Sequence, residues 1–184
     1  MTLGRERGRV VAVSRNPDRG LSKLPRTSIT LLAGLGVEGD VHAGVRVQHL
    51  YRMRLDPSAP NRAQVHFLPV ELFAELAGQG YRLDPGAMGE NVLTEGLDLT
   101  AMPLGTIFRL GEAVVEISGL RDPCKKIDGL GKGLAKRLIE RRPDGTVIRK
   151  VGIMGVVREG GMVRPGDRIQ VQLPPEPHRP LEVV

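Results

Sequence analysis

Short stretches of alternating apolar and polar residues recur along the chain and predict a mainly β structure. Residues 106–117 are predicted to form two strands joined by Gly111 and Glu112. Glycine at the first position of a two-residue connection is typical of a type II′ β-hairpin. Residues 168–173 alternate strictly, as in a half-buried strand. Further strands are predicted at 9–14, 45–54, 64–68 and 151–157.

Two helices interrupt this pattern. The first begins at Pro69 and ends before Gly78, because proline favours the first helical position and apolar residues recur on one face. The second is a basic helix over 133–142, ended by Pro143-Asp144-Gly145. The segments 21–30, 31–44 and 84–94 are predicted as loops. Many short strands with a few helices in the connections predict one β-barrel-like domain over 1–184, with its core at 10–174 and an extended tail at 175–184.

The cysteine content and the apolar runs of the sequence indicate the cellular compartment. A single cysteine excludes an intramolecular disulfide framework and fits a reducing compartment. The apolar run at 10–13 is too short for a signal peptide, and the sequence holds no membrane-spanning run. We therefore expect a cytoplasmic protein that does not associate with membranes.

Positive charge is concentrated in one segment. Residues 121–150 contain ten Lys and Arg against four Asp and Glu, an excess equal to the net charge of +6 of the whole chain. Such a field attracts an anion: a phosphate-bearing cofactor, an oxyanion or nucleic acid. About half of these residues are also explained as the solvated face of a helix. Aromatic residues that would stack on bases are missing from the segment, so we do not expect nucleic acid beyond phosphate contacts.

Cys124 is the first candidate for chemistry. Arg121, Lys125 and Lys126 lie within three residues of it, and neighbouring cations favour the reactive thiolate. Pro123 makes its position a stiff corner. The alternative is a small buried hydrophobic residue, but the charged, turn-forming flanks favour a functional thiolate.

Two glycine-rich loops supply the other candidates. Asp40 and His42 could share a proton or a metal, and Glu90 with Asn91 could clamp a heterocycle that has an amide-like edge. A structural hydrogen bond in a turn explains the first pair equally well, and a capped turn is the favoured explanation of the second pair when it is taken alone. Paired zinc-ligand spacing, a Walker lysine motif and a dinucleotide-binding glycine fingerprint are missing. A hydrolase in which His66 or His42 activates Cys124 stays open.

The order of these motifs resembles a known family. The motifs are Gly39-Asp40-x-His42-x-Gly44, Val65-His66-x-x-Pro69-x-Glu71-Leu72, Pro85-Gly86-x-x-Gly89-Glu90-Asn91, Gly96-Leu97-Asp98-Leu99, Gly105-Thr106, Gly119-Leu120-Arg121-x-Pro123-Cys124, Gly152-x-Met154-Gly155-Val156 and Pro165-Gly166-Asp167. Together they look like a stand-alone, bacterial-type MOSC domain, named after the C-terminal domain of molybdenum-cofactor sulfurases.

The resemblance implies a pyruvate-kinase-type β-barrel that binds the molybdenum cofactor, molybdopterin with molybdenum. It makes Cys124 the catalytic residue and molybdenum ligand. Expected cofactor-binding residues are Gly89, Glu90, Asn91, Arg121, Lys125, Asp40, His42 and His66. A thiolate suits a redox metal, and the basic segment suits a phosphate-bearing pterin.

Three functions follow as hypotheses. The leading one is a reductase of small N-hydroxylated compounds, supplied with electrons by a separate donor protein. The second is a non-redox sulfur carrier with a persulfide on Cys124, served by a sulfur-donor protein. The third is a basic nucleic-acid-associated module. Residues 45–62 look like an insertion that could cover the site or form an interface.

Overall fold

The alternating stretches form strands that make one large sheet and two smaller ones. The computed structural model describes residues 7–184, and the charged start of the chain at residues 1–6 lies outside the described residues. In chain order the strands are β1 (Arg7–Arg15), β2 (Leu24–Arg26), β3 (Ile29–Leu32), β4 (Gly36–Val37), β5 (Val65–Pro69), β6 (Val92–Glu95), β7 (Ile107–Leu110), β8 (Ala113–Leu120), β9 (Ile139–Arg141), β10 (Val147–Arg149), β11 (Ile153–Glu159), β12 (Gly161–Val163) and β13 (Arg168–Gln172). Eight of these strands make the large sheet, β3, β4 and β12 make a second, and β9 and β10 make a third. The helices are α1 (Leu50–Leu55), α2 (Val70–Ala77) and α3 (Leu134–Arg137), with 3-10 turns at Leu99–Ala101 and Lys125–Leu130.

Seven strands close the sheet into a barrel. Their order is β1, β13, β7, β8, β11, β5, β6 and back to β1, so each has two neighbours. All of these pairs are antiparallel except β5 with β6. Closure leaves the barrel strands without a free edge. The predicted mainly β, barrel-type fold is confirmed.

Two apolar clusters hold the fold together. Inside the barrel, the rings of Phe67 and Phe108 pack edge to face with centroids 5.4 Å apart. The second cluster lies between the barrel and the helices, and includes Leu72, Leu76 and Leu134. Cys124 packs against this second cluster. The segment that carries the thiol is therefore anchored to the outside of the barrel.

The insertion at 45–62 folds differently from the prediction. The strand expected at 45–54 is wrong, because Leu50–Leu55 form helix α1. No residue of α1 is buried, and each barrel strand already pairs with two others, so none is available to pair with this stretch. Leucine, arginine and methionine all favour a helix where packing does not decide.

The predicted basic helix at 133–142 is also wrong over most of its length. Only Leu134–Arg137 are helical, and β9 then pairs with β10 as a hairpin. The hairpin closes at the turn 143–145, where the amide of Gly145 bonds to the carbonyl of Arg142. The Pro-Asp-Gly sequence turns one strand into the next here and does not end a helix.

Three segments predicted as loops contain strands, and the extended tail is tied to the barrel. The predicted loop at 21–30 holds β2 and the start of β3, the predicted loop at 31–44 holds the end of β3 and all of β4, and the predicted loop at 84–94 ends in β6. The C-terminal residues follow the end of β8: the amide of Leu120 bonds to the carbonyl of Glu182 at 2.7 Å, and Leu181 packs against the barrel core. The tail thus supports the residue immediately before the cysteine segment.

Candidate functional site

The cysteine segment leaves the end of β8 and enters a 3-10 turn. Cys124 precedes this turn in an extended conformation, and its carbonyl accepts a hydrogen bond from the amide of Ile127 at 3.0 Å. Ile127 is fully buried and anchors the turn, whereas Cys124 is half-buried. The sulfur is thus neither sealed in the core nor fully exposed to solvent.

Arg121 joins this segment to the glycine-rich loop at 84–91. Its guanidinium donates a hydrogen bond to the carbonyl of Met88. Burial lowers the pKa of Arg121, and the neighbouring Cys124 and Glu90 oppose that shift. The hydrogen bond to Met88 ties the cysteine segment to the loop, so the structure brings these two predicted parts of the site together.

Asp40 is the centre of a buried hydrogen-bond network. Its Oδ2 accepts from Lys23 Nζ at 2.6 Å and from Asn91 Nδ2 at 3.1 Å, and its Oδ1 lies 3.2 Å from His42 Nδ1. Burial raises the pKa of Asp40, but the hydrogen bond from His42 and the charge of Lys23 outweigh it and hold that pKa well below its usual range. Asp40 is therefore an ionised carboxylate that fixes the His42 ring.

Lys23 is a residue that the sequence interpretation missed. Burial lowers its pKa, while the neighbouring Asp40 carboxylate works in the opposite direction. Nothing in the polar stretch around it distinguishes this lysine from a solvated one. Its partner lies 17 residues away, so only the folded chain reveals the pair.

Glu90 and Asn91 have partners inside the protein. Asn91 Oδ1 accepts from the amide of His66 at 3.1 Å, and its Nδ2 donates to the carbonyl of Ser14 and to Asp40. One carboxylate oxygen of Glu90 accepts from the amide of Gly86. The other, Oε2, is buried and has no hydrogen-bond partner within residues 7–184. Burial raises the pKa of Glu90. A clamp on a heterocycle stays a prediction for these two residues.

Gly89 lets the loop approach its neighbour closely. Its φ of +81° favours glycine, and a Cβ there would lie 2.4 Å from the carbonyl oxygen of Leu21. The loop that carries Glu90 and Asn91 is thereby held against the segment that carries Lys23.

His66 lies in the interior of the site region. Its Nε2 donates to the carbonyl of Val151 at 2.7 Å, and only 4% of the residue is exposed. Burial, followed by the positive charge of Arg121, holds the pKa of His66 well below its usual range. In this conformation His66 is a neutral ring that connects β5 to the residue before Gly152.

His49 is a second residue that the sequence interpretation missed, since it fell inside a predicted strand. It precedes α1 and has no side-chain cap hydrogen bond. Desolvation lowers its pKa, and electrostatic interactions with His42, Arg52, Arg121 and Lys126 lower it further. The loop of His42, helix α1 and the cysteine segment therefore all act on His49.

The remaining predicted residue, Lys125, is exposed beside the thiol. Within residues 7–184 no cluster of three or more His, Cys, Asp or Glu side chains has the arrangement of a metal site. A cleft of about 470 Å³ lies elsewhere, lined by Arg109, Glu112, Glu159 and Arg168 among others, and none of the predicted site residues lines it.

No helix within residues 7–184 is long and apolar enough to cross a membrane.

Comparison with known proteins decides the family. The family model described as the MOSC domain matches residues 37–170, well over half of the chain. The chain belongs to the MOSC-domain family. The matched range contains Asp40, His42, Glu90, Arg121 and Cys124, whereas Lys23 lies outside it. MOSC domains are associated in general with binding of molybdopterin cofactors.

Two curated relatives are longer than this MOSC chain. It is 30% identical over 125 residues to protein YiiM of Escherichia coli, a match that covers 66% of this chain and 51% of that protein. It is 29% identical over 160 residues to the uncharacterized protein YflK of Bacillus subtilis, with 84% and 63% covered. The chain thus spans about half to under two thirds of the length of these relatives.

Solved structures share the fold of this MOSC chain. The crystal structure of the YUAD protein from Bacillus subtilis aligns with a TM-score of 0.73 at 22% identity, covering 92% of this chain and 97% of that one. YiiM from Geobacillus stearothermophilus aligns with a TM-score of 0.65 at 20% identity, covering 90% and 75%. At these identities the likeness supports the fold.

Proposed function

We propose that this MOSC protein binds the molybdenum cofactor, with the sulfur of Cys124 as a ligand of the metal, and that it reduces small N-hydroxylated compounds. The observation that carries the proposal is the half-buried thiol of Cys124, three residues after Arg121, whose guanidinium ties this segment to the loop of Glu90 and Asn91 through the carbonyl of Met88. A soft thiolate is a suitable ligand for a redox metal, and a thiolate that is only half-buried is accessible to that metal.

The other residues of the site suit the remainder of the cofactor. The positive charges of Arg52, Arg121 and Lys126 act on the His49 ring, and positive charge of this kind suits the phosphate of a pterin cofactor. The unpartnered Oε2 of Glu90 suits a heterocycle that is rich in N–H groups. A buried acceptor without a donor is costly, so a ligand that supplies one would be favoured.

His42 is the residue that we assign to proton transfer. Its Nδ1 faces Asp40 at 3.2 Å, which leaves Nε2 on a ring whose side chain is 34% exposed. When bound, the cofactor supplies the two-electron chemistry. The overall reaction adds two electrons and two protons to R–NHOH and yields R–NH₂ and water. His42 delivers the proton that leaves with the hydroxyl oxygen, and the other proton ends on the nitrogen.

Production in a cofactor-making host tests this function. We expect the purified protein to carry molybdenum and pterin, and to reduce an aryl amidoxime with reduced methyl viologen as electron source. Cys124→Ser is expected to lose the activity. His42→Gln is expected to keep the cofactor and to lose about 10²-fold or more in kcat. Full activity of Cys124→Ser would contradict the proposal.

A sulfur carrier is the second candidate, supported by the cations around the thiol. The Cys124 thiolate would attack the outer sulfur of a donor protein's persulfide, and the donor thiolate would leave. Positive charge from Arg121 and the exposed Lys125 would stabilise the resulting persulfide anion. Cyanide-labile sulfur on protein that carries no pterin would favour this function. Because Cys124 is the only cysteine, alkylation reports on it alone.

A further inference from the structure

Residues 45–61 of the insertion form an arm beside the loop that carries His42. Its two ends pair with each other: the amide of Val47 bonds to the carbonyl of Ala59 at 2.9 Å, and the amide of Asn61 bonds to the carbonyl of Val45 at 2.9 Å. Helix α1 lies between these ends. The arm is thus a closed projection with its own internal hydrogen bonds.

The base of the arm is fixed to the loop that carries His42. Asn61 is 4% exposed, and its Nδ2 donates to the carbonyls of His42 and Gly44 at 2.9 and 3.0 Å. Gly44 immediately precedes the arm and Asn61 ends it, so both ends of the arm lie at the loop that carries His42.

The surface of the arm is unusually apolar. Seven large hydrophobic side chains are exposed within residues 7–184, and four of them lie between residues 45 and 55. They are Val45, Leu50, Tyr51 and Leu55, with exposures of 69%, 49%, 64% and 69%. Tyr51 and Leu55 are four residues apart, so they share one face of the helix. A clustered apolar surface of this kind is typical of an interaction site.

The same surface carries positive charge. Arg46 and Arg54 are exposed and Arg52 is half-buried, and none of the three forms an ion pair with another residue in the range 7–184. Residues 41–55 contain no Asp or Glu. Apolar and aromatic side chains together with arginine are enriched in protein–protein interfaces. The positive charge of the arginines attracts an acidic partner.

We propose that the arm, with Val45, Leu50, Tyr51 and Leu55 at its centre and Arg46 and Arg54 at its edge, docks an acidic redox protein that delivers electrons to the site. This inference rests on the proposed reductase function. The reaction consumes two electrons, and one cysteine cannot supply them by forming an intramolecular disulfide. Docking at the arm would place the donor next to the loop that carries His42.

The test compares a small electron donor with a protein donor. Amidoxime reduction is measured with reduced methyl viologen and with reduced flavodoxin, a small acidic flavoprotein used as the probe. The arm variants are Tyr51→Ser/Leu55→Ser and Arg46→Glu/Arg54→Glu. The matched control is Arg164→Glu/Arg168→Glu, which makes the same charge change at two exposed arginines near the start of β13.

Each arm variant is expected to lower kcat/KM for flavodoxin at least 10-fold at low salt, and to leave the rate with methyl viologen within twofold of wild type. The control is expected to leave both rates within twofold. Loss of the flavodoxin rate in the control as well, or no loss in the arm variants, would overturn the proposal.

Direct binding separates this proposal from the proposed function. Calorimetric titration with oxidised flavodoxin is expected to show binding that weakens at least 10-fold in each arm variant. If methyl viologen supports no reduction by wild type, the reductase function fails while the titration still decides the docking. No binding of wild type to flavodoxin would overturn the docking proposal. So would arm-dependent binding to phosphatidylglycerol vesicles, or an arm-dependent dimer in light scattering.

Discussion

The buried pair of Lys23 and Asp40 gives the sharpest test of how the site is held together. Only 5% and 2% of the two side chains are exposed, and Nζ lies 2.6 Å from Oδ2. Removing one partner of a buried ion pair leaves a charge without compensation and costs roughly 3–5 kcal/mol. We therefore expect Asp40→Asn to lower the free energy of unfolding by about that amount.

Removing the lysine has a smaller expected effect. In Lys23→Met the carboxylate of Asp40 still accepts hydrogen bonds from the amides of Asn16 and His42 and from Asn91 Nδ2. Methionine also fills an irregular apolar space well. The double variant replaces the pair with neutral groups, so we expect it to recover most of the roughly 3–5 kcal/mol that Asp40→Asn loses.

Urea unfolding followed by circular dichroism at pH 7 measures these differences, since the chain has no tryptophan for fluorescence. The surface pair of Arg9 and Glu95 is the control, because its atoms are also 2.6 Å apart while the side chains are 59% and 47% exposed. Glu95→Gln should cost at most about 1 kcal/mol. A double variant no more stable than Asp40→Asn, or an equal cost for Asp40→Asn and Glu95→Gln, would refute the reasoning.

Three further predictions concern the loops around the site and the C-terminal tail. Gly89→Ala should destabilise the protein by about 1–3 kcal/mol more than Gly145→Ala. Both glycines have φ above +80°, but only a Cβ at position 89 would clash, at 2.4 Å from the carbonyl oxygen of Leu21. Equal losses of unfolding free energy in urea would contradict this. Burial raises the pKa of Glu90, so the ionised carboxylate destabilises the folded protein as pH rises above about 4.5, the pKa in the unfolded chain. The unfolding free energy of Glu90→Gln should therefore increase relative to wild type between pH 4 and pH 8, by about 1.4 kcal/mol per unit of raised pKa. A difference in unfolding free energy that stays constant over this pH range would disprove it. Deleting residues 181–184 removes Glu182, whose carbonyl accepts the hydrogen bond of the Leu120 amide. Hydrogen exchange at the Leu120 amide should therefore accelerate at least 10-fold, while exchange at the control amide of Leu110 stays unchanged. Unchanged exchange at Leu120 would show that the tail does not support this residue.

The regular elements follow from local patterns in the sequence. The hairpin of β7 and β8 was predictable because its alternation meets a glycine turn, and Gly111 has a φ of +55°. Helix α2 was predictable from Pro69 and its apolar face. The helix at 50–55 and the hairpin at 139–149 were missed, since both consist of short stretches whose state is set by the neighbours available to pair with them.

The site was partly predictable for a similar reason. Cys124, Arg121, Asp40 and His42 lie in loops with distinctive glycine, proline and charge patterns. The pairing of Lys23 with Asp40 and the position of His49 depend on contacts between segments far apart in sequence. No local pattern distinguishes a buried lysine from a solvated one until its carboxylate partner is known.

The assignment of Cys124 as a molybdenum ligand is tested most directly by X-ray absorption at the molybdenum edge. Wild type and Cys124→Ser are purified from the same cofactor-making host and compared for the number of sulfur neighbours around the metal. The account predicts one sulfur fewer in the variant, replaced by a lighter atom. Identical sulfur shells in the two proteins, at equal molybdenum content, would contradict it.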